Sequence, residues 1–292
     1  MKTSMPDTDL VRVLLIGASG RVGRMVLHHW RRLPPKVHLT PQYRQPVAHG
    51  CLVWDPLTGP EALVGTTERF DAMVVLAGAT PGLGRDLSAN KTLADACLTA
   101  ALKAGISRVL LASSSAVYGA GHGAPFSEQV PCLPVNDYGL AKLEMEQACA
   151  RWRQSGLEVC CLRIGNVAGA DALLLNIATS APEAAIELDA FSDGYGPIRS
   201  YIGARTMASV LQSLCLHTSR LPPVLNLAAP APISMDALAD AARHPRILRA
   251  APDHAHQYIT LDCSLLSSLH EFDAADSQPE EMIRQWKDTL SA

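Results

Sequence analysis

Val11-Arg-Val-Leu-Leu-Ile16 runs without interruption into Gly17-Ala-Ser-Gly20-Arg-Val-Gly23 and then into the helical stretch 24–30. An aliphatic run, spaced glycines and a helical segment read as strand, tight turn and helix. Glycines at such a turn let backbone N–H groups approach a pyrophosphate, and the start of the helix favours its charge. The spacing is Gly-x-x-Gly-x-x-Gly rather than the commoner Gly-x-Gly-x-x-Gly. Gly17, Ser19, Gly20, Arg21, Val22 and Gly23 are therefore candidate contacts to a dinucleotide.

Further apolar runs of strand length lie at 37–40, 51–54, 72–76, 108–112 and 159–162, with helix-length segments between most of them. Short continuous strands alternating with helices predict a parallel sheet covered on both faces. Only one or two helical turns fit the Gly/Pro-punctuated stretch between Val53 and Ala72. After Gly169 the rhythm changes: 172–180, 207–216, 235–242 and 279–290 read as helices, 192–197 as a Gly-rich loop and 224–227 as a short strand. The expected division is 1–168 for the dinucleotide-binding domain and 169–292 for a small α/β lobe, with some of its segments returning to the main sheet.

Composition removes several classes. The 292 residues are 48% hydrophobic and 18% charged, which suits a packed core rather than disorder. A formal net charge of −3 gives no electrostatic case for nucleic acid or an anionic membrane. Residues 1–9 are short and polar, unlike a signal peptide, and no uncharged apolar run suffices to span a membrane. The eight cysteines include no Cys-x-x-Cys pair and several sit in apolar runs, so free thiols and a cytoplasmic location are expected.

The end of the second run, Leu39-Thr-Pro-Gln-Tyr-Arg44, bears on which dinucleotide binds. An acid there would hold the 2′-hydroxyl of NAD, whereas an arginine would accept the 2′-phosphate of NADP. Pro41 stands where the acid is expected. Arg44, with Arg21 or Arg24 in support, can meet a phosphate, which favours NADP while leaving NAD open; a solvated loop arginine is the alternative. Asp55, ahead of Pro56, can accept from an adenine amino group or simply form an Asx turn.

Tyr138-Gly-Leu-Ala-Lys142 places a phenol and an ammonium on one helix face. A neighbouring cation favours phenolate, so Lys142 is expected to lower the pKa of Tyr138 and make it a general acid/base. The upstream run Ser113-Ser114-Ser115-Ala-Val-Tyr-Gly offers a hydroxyl for the oxygen whose proton moves. The spacing of Tyr138 and Lys142 is common by itself; its context gives it weight.

In this order the glycine loop, the serine run and the Tyr138/Lys142 pair resemble the extended branch of the short-chain dehydrogenase/reductase superfamily, which contains the NAD(P)-dependent sugar-nucleotide epimerases and dehydratases. Val74-Val-Leu-Ala-Gly-Ala79, Leu162-Arg-Ile-Gly-Asn-Val-Ala-Gly169, Gly196-Pro-Ile-Arg-Ser-Tyr-Ile202 and Leu225-Asn-Leu-Ala-Ala are similar to further segments of that family, as are Glu128 and Pro134 before the tyrosine. The resemblance covers most of the chain. It implies a Rossmann-type doubly wound parallel sheet with a small substrate lobe, and helices around 92–104 and 140–152 pairing in a homodimer. Residue by residue it implies Tyr138 as acid/base, Lys142 as its partner and ribose contact, and Ser114 as the catalytic hydroxyl. Leu76, Ala77, Gly78, Asn90 and Ser113 would lie along the cofactor, and Ser115, Asn166 and Arg199 would face the substrate.

The chain also departs from the family. The lobe beyond Asn226 is short, and Arg249-Ala-Ala-Pro-Asp253 lacks the family's glycine. His254-Ala-His256 has a metal-like spacing without further ligands. Ser115-Ala116 stands where the resembling dehydratases carry acids, which argues against dehydration. The expected activity is reversible hydride transfer at a hydroxyl or keto carbon of a sugar or sugar nucleotide. The alternatives are an NADPH-dependent reductase of a smaller carbonyl compound and a non-catalytic NAD(P)-binding regulator.

Overall fold

A computed structural model describes residues 10–47, 50–121 and 123–291. The polar stretch 1–9 lies outside them. The chain forms strands β1 (Val11–Ile16), β2 (Val37–Tyr43), β3 (Leu52–Val53), β4 (Ala72–Val75), β5 (Arg108–Ser114) and β6 (Glu158–Ile164). Helices α1 (Arg21–Trp30), α2 (Glu61–Val64), α3 (Ala89–Lys103), α4 (Asp137–Ala148) and α5 (Ala150–Gln154) lie between them. The second part contributes β7 (Asn166–Val167), α6 (Ala172–Thr179), β8 (Ile186–Ala190), β9 (Ile198–Arg199), β10 (Tyr201–Ile202) and α7 (Ala204–Leu216). It continues through β11 (Val224–Leu227), β12 (Ile233–Ser234), α8 (Met235–Ala242), β13 (Arg246–Ala250), β14 (Tyr258–Ile259), α9 (Ser264–Ser267) and α10 (Pro279–Leu290).

Seven strands make the central sheet in the order β11-β6-β5-β4-β1-β2-β3, and every pairing in it is parallel. Alternation along the strands explains the two helical layers. Val13 and Leu15 of β1 and Val74 of β4 pack with α1 and α7. Leu14, Ile16, Met73 and Val75, one residue out of step, pack with α3 and α4. Side chains of successive strand residues point to opposite faces, so runs apolar at every position bury both. Such strands read as uninterrupted hydrophobic stretches, which is why the sequence shows them clearly.

Although α7 and β11 follow Gly169, they belong to this body: α7 packs on α1, and β11 extends the sheet beyond β6. The lobe proper is a smaller core around Leu173, Leu174, Leu188, Tyr201, Leu238 and Trp286. Its two-stranded parallel pair β8–β13 was not among the expected strands. The short strand β3 ends at Val53; the chain then makes a 3-10 turn at Pro56–Thr58 and the single-turn α2, as the glycines and prolines there require. No helix among the described residues is long and apolar enough to cross a membrane.

Candidate active site

Two cavities lie at the carboxyl ends of the central strands. The larger, about 670 Å³, is lined by the glycine loop, the ends of β2 and β4 and the residues after β3. Gly17 has φ +86°, and a Cβ there would come within 2.5 Å of the Ala77 backbone nitrogen; one at Gly23 would lie 2.0 Å from the Gly17 carbonyl oxygen. A side chain at either position would push the loop off the sheet or the helix off the loop. With Gly20 as N-cap and no acid in its first turn, α1 keeps free N–H groups and a positive end at the cavity. This is a cradle built for phosphate, and its size and position suit a dinucleotide.

Gly17, Ser19, Gly20, Arg21, Val22, Arg44, Asp55, Pro56, Leu76, Ala77 and Gly78 all line this cavity. Gly23, Asn90 and Ser113 stand behind its wall. Gly23 sets the close packing of α1, and Asn90 is buried, accepting from the Ala79 N–H at 3.0 Å and donating to its carbonyl at 3.0 Å. Pro41 is not the residue that meets the cavity. It pairs with Leu15 inside β2, and alternation turns Gln42 inward instead. The Gln42 Oε1 accepts from the Gly17 N–H at 3.3 Å, and its Nε2 donates to the Trp54 carbonyl. A neutral amide thus occupies the strand end where an acid would select NAD. Arg85 joins Arg21, Arg24 and Arg44 on the wall, against Asp55 as its one acid.

The smaller cavity, about 280 Å³, is lined by Ser114, Ser115, Asn166 and Arg199 among others. Tyr138 and Lys142, one turn apart on α4, line neither cavity; Tyr138 is beside Ser114 of the smaller one and Lys142 beside Gly78 of the larger. Asn136 caps this helix by accepting from the Gly139 N–H at 2.8 Å, which fixes where the first turn presents Tyr138. The Tyr138 phenol lies beside Ser114, whose hydroxyl favours its ionised form. Lys142 Nζ donates to the Ala112 carbonyl at 2.9 Å and lies 5.9 Å from the Tyr138 ring centroid. A Cβ at Gly78 would come within 3.2 Å of that nitrogen, so the ammonium reaches the wall of the larger cavity.

The electrostatics differ from the sequence expectation. Burial raises the pKa of Tyr138, and the Ser114 hydrogen bond only partly offsets it. Lys142 is itself pulled down to about 8 by burial. The ammonium that was expected to favour phenolate is thus costly to keep charged, and it spends a donor on a carbonyl. Without a bound ligand the phenol holds its proton at neutral pH.

Ser113 does not line the larger cavity. Its hydroxyl donates to Glu146 Oε1 at 2.5 Å in a buried network. Arg163 forks onto the same carboxylate, with Nη2 at 2.8 Å from Oε2 and Nε at 3.1 Å from Oε1. Its guanidinium also lies 4.7 Å from the centroid of Tyr118, whose hydroxyl donates to Asn226 at 2.7 Å. This network was missed in the sequence, although Glu146 sits one turn beyond Lys142 and a charged residue at a fully apolar position is the available signal.

On the substrate side, Tyr201 donates to Asp171 at 3.2 Å behind Asn166. Arg249 pairs with exposed Glu187 on the β8–β13 pair and does not line the smaller cavity. His254 and His256 gain no further ligands: among the described residues no group of three or more His, Cys, Asp or Glu side chains could hold a metal.

A doubly wound parallel sheet with a glycine-loop cradle and a Ser/Tyr/Lys set at its strand ends defines a dinucleotide-binding α/β protein of the extended short-chain dehydrogenase/reductase type. The chain belongs to the NAD dependent epimerase/dehydratase family, whose model matches residues 13–194. It is 35% identical over 178 residues to a UDP-glucose 4-epimerase of Azospirillum brasilense, covering 55% of this chain and 50% of that protein. It is 29% identical over 167 residues to a 2'-dehydrokanamycin reductase of Streptomyces kanamyceticus, covering 56% and 44%. The matched region spans about half the length of these curated relatives. The fold is shared with a UDP-glucose-4-epimerase from Stenotrophomonas maltophila, solved with bound NAD and formylated UDP-arabinopyranose (TM-score 0.76, 20% identity, 96% of this chain and 98% of that one). It is also shared with the UDP-Glc/GlcNAc 4-epimerase of Campylobacter jejuni (TM-score 0.74, 18% identity, 97% and 100%).

Proposed function

We propose that this protein catalyses reversible NAD(P)-dependent hydride transfer at a hydroxyl or keto carbon of a sugar or sugar nucleotide. The observation that supports this reading is that Tyr138 lies beside Ser114, which lines the smaller cavity, while Lys142 lies beside Gly78, which lines the larger one. The nicotinamide, when bound, supplies the hydride acceptor or donor. In the oxidation direction Tyr138 takes the proton of the substrate hydroxyl, and Ser114 donates a hydrogen bond to the oxygen as it becomes a carbonyl. In reduction Tyr138 returns that proton. Lys142 would hold a ribose hydroxyl from the Gly78 side. Retention of the keto compound and reduction on its other face gives epimerisation; its release gives a net dehydrogenase or reductase. Tyr138→Phe should keep dinucleotide binding by calorimetry while turnover falls about 10²–10⁴-fold. Unchanged turnover would remove the assignment.

NADP is the favoured cofactor. Gln42 in place of an acid, and four cavity arginines against Asp55, suit a ligand with an additional phosphate. Arg44→Ala should weaken NADP about tenfold or more and leave NAD nearly unchanged. Equal losses for both would contradict the preference. A homodimer through α3 and α4 is supported by exposed Leu102, Leu133, Val135 and Leu140 on and beside those helices. The cytoplasm is the proposed compartment, because six of the cysteines are thiols buried in the core.

A further inference from the structure

We propose that Glu146 is a positioning residue for the Tyr138/Lys142 pair, a buried carboxylate that keeps the Lys142 ammonium charged and seated at neutral pH. The proposal rests on the hydride-transfer reading for the use to which Lys142 is put, and on the geometry of α4 for the rest. Tyr138, Lys142 and Glu146 follow one another at intervals of four, so one face of the helix presents all three. That face meets three consecutive residues of β5. Tyr138 lies beside Ser114, Lys142 Nζ donates to the Ala112 carbonyl at 2.9 Å, and Glu146 Oε1 accepts from the Ser113 hydroxyl at 2.5 Å. Ammonium and carboxylate are thus anchored to adjacent residues of one strand. Lys142 and Glu146 are only 4% and 5% exposed. A charge so deeply buried persists only where an opposite charge is close.

The other groups around Lys142 do not supply that opposite charge. On its own helix the Tyr138 phenol holds its proton, its pKa raised by burial. Ser113 and Ser114 of β5 are neutral hydroxyls, and Tyr118, just beyond them, is pushed up to about 12, chiefly by burial. On β6 the Cys161 thiol is neutral too, because its place beside Cys149 and its burial push its pKa far up. Arg163 of β6 is a second cation, and Glu146 accepts from its Nε and Nη2 at 3.1 and 2.8 Å. Arg153 of α5 is spent on the Val159 and Pro223 carbonyls and the Cys161 sulfur. From the α3 side the buried Asn90 is a neutral amide, and Asp95 is engaged by Lys91, Arg151 and the Trp152 indole. Burial pulls Lys142 down to about 8, and Glu146 is the ionised group that opposes the fall. Without it the ammonium would lose its proton within the neutral range. Ser113 then serves the site by fixing this carboxylate rather than by touching the cofactor.

The test follows Lys142 in the full chain by the Cε signals of carbon-13-labelled lysines, titrated from about pH 6 to about pH 10. Lys142→Met identifies its signal by the peak that disappears. The parent midpoint should fall near 8, and Glu146→Gln should lower it by about one pH unit. Glu146→Asp keeps the charge on a shorter arm and should give an intermediate midpoint, which carries the test if Glu146→Gln does not fold. Ser113→Ala loosens the carboxylate without removing its charge and should titrate close to the parent. Calorimetry with NAD and NADP should show affinity falling about tenfold as Lys142 loses its proton, at correspondingly lower pH in Glu146→Gln. An unmoved midpoint in the Glu146 variants, or an equal shift from Ser113→Ala, would overturn the proposal. Either result leaves the hydride-transfer reading standing. A parent that binds neither dinucleotide would instead remove that reading, and the lysine titration would still decide the role of Glu146.

Discussion

Lys142 is where burial and chemistry pull hardest against each other. Its ammonium is buried with one backbone carbonyl as partner, which holds its pKa at about 8 against an ordinary 10.5. The sign for stability follows from linkage. Between those values the unfolded chain binds the extra proton, so stability gains from Lys142 as pH rises from about 8 to 10.5. Below that window the folded chain bears the whole cost of the buried charge, ~1.4 kcal/mol for each pK unit. Lys142→Met should therefore raise unfolding free energy at pH 7 by a few kcal/mol, at ~1.4 per unit, while activity is lost. Denaturant titrations should show that advantage shrinking above the lower end of the window. A variant no more stable than the parent at neutral pH would contradict this account. A residue that costs stability is the expected pattern at a functional site, which accords with the role proposed for Lys142.

Tyr138, Lys142 and Ser114 were readable in the sequence because their spacing carries their geometry: a helical i, i+4 pair and a strand end. Their pKa values were not, since burial is a property of the assembled body. The same holds for Gln42. Residue type pointed to Pro41, but which of two adjacent residues faces the cavity depends on the register of β2 against β1, which the pairing of Pro41 with Leu15 sets.

At the scale of elements, the buried Glu146–Arg163 pair couples α4 to β6, and the Ser113 hydroxyl ties β5 to the same carboxylate. The proposed catalytic groups on α4 and β5 are thus held against each other from behind. Removing one partner leaves the other charge buried and unpaired, which costs about 3–5 kcal/mol. Glu146→Gln should lower the melting temperature, and Arg163→Met in the same chain should restore part of it. A double variant no better than Glu146→Gln would indicate that packing, rather than the unpaired charge, dominates. Another element-scale device is the start of α7. Its Gly203 cap has no side chain, and Gln285 of α10 accepts from the Arg205 and Thr206 N–H groups at 2.9 and 3.1 Å. A helix end capped from a distant segment is invisible to a local reading, whereas the strand-turn-helix of residues 11–30 is entirely local.

For the whole molecule, the continuous apolar strands announced the central sheet. The lobe was less legible because its strands are short and its pair β8–β13 joins segments far apart in sequence. The exposed leucines of α3 and α4 belong to this scale too. Light scattering at micromolar concentration should give twice the chain mass, and Leu140→Glu should halve it; a monomeric parent would remove the homodimer.

The central claim is that Tyr138 and its neighbours move a hydride equivalent and a proton between a nicotinamide and a carbon bearing oxygen. The most direct measurement supplies reduced dinucleotide deuterated at the transferable position, together with keto forms of sugars and sugar nucleotides, and follows the label by mass spectrometry. The account predicts one deuterium bonded to carbon in the product of the parent protein and none above background with Tyr138→Phe. An unlabelled product from the parent, or equal labelling with Tyr138→Phe, would contradict it.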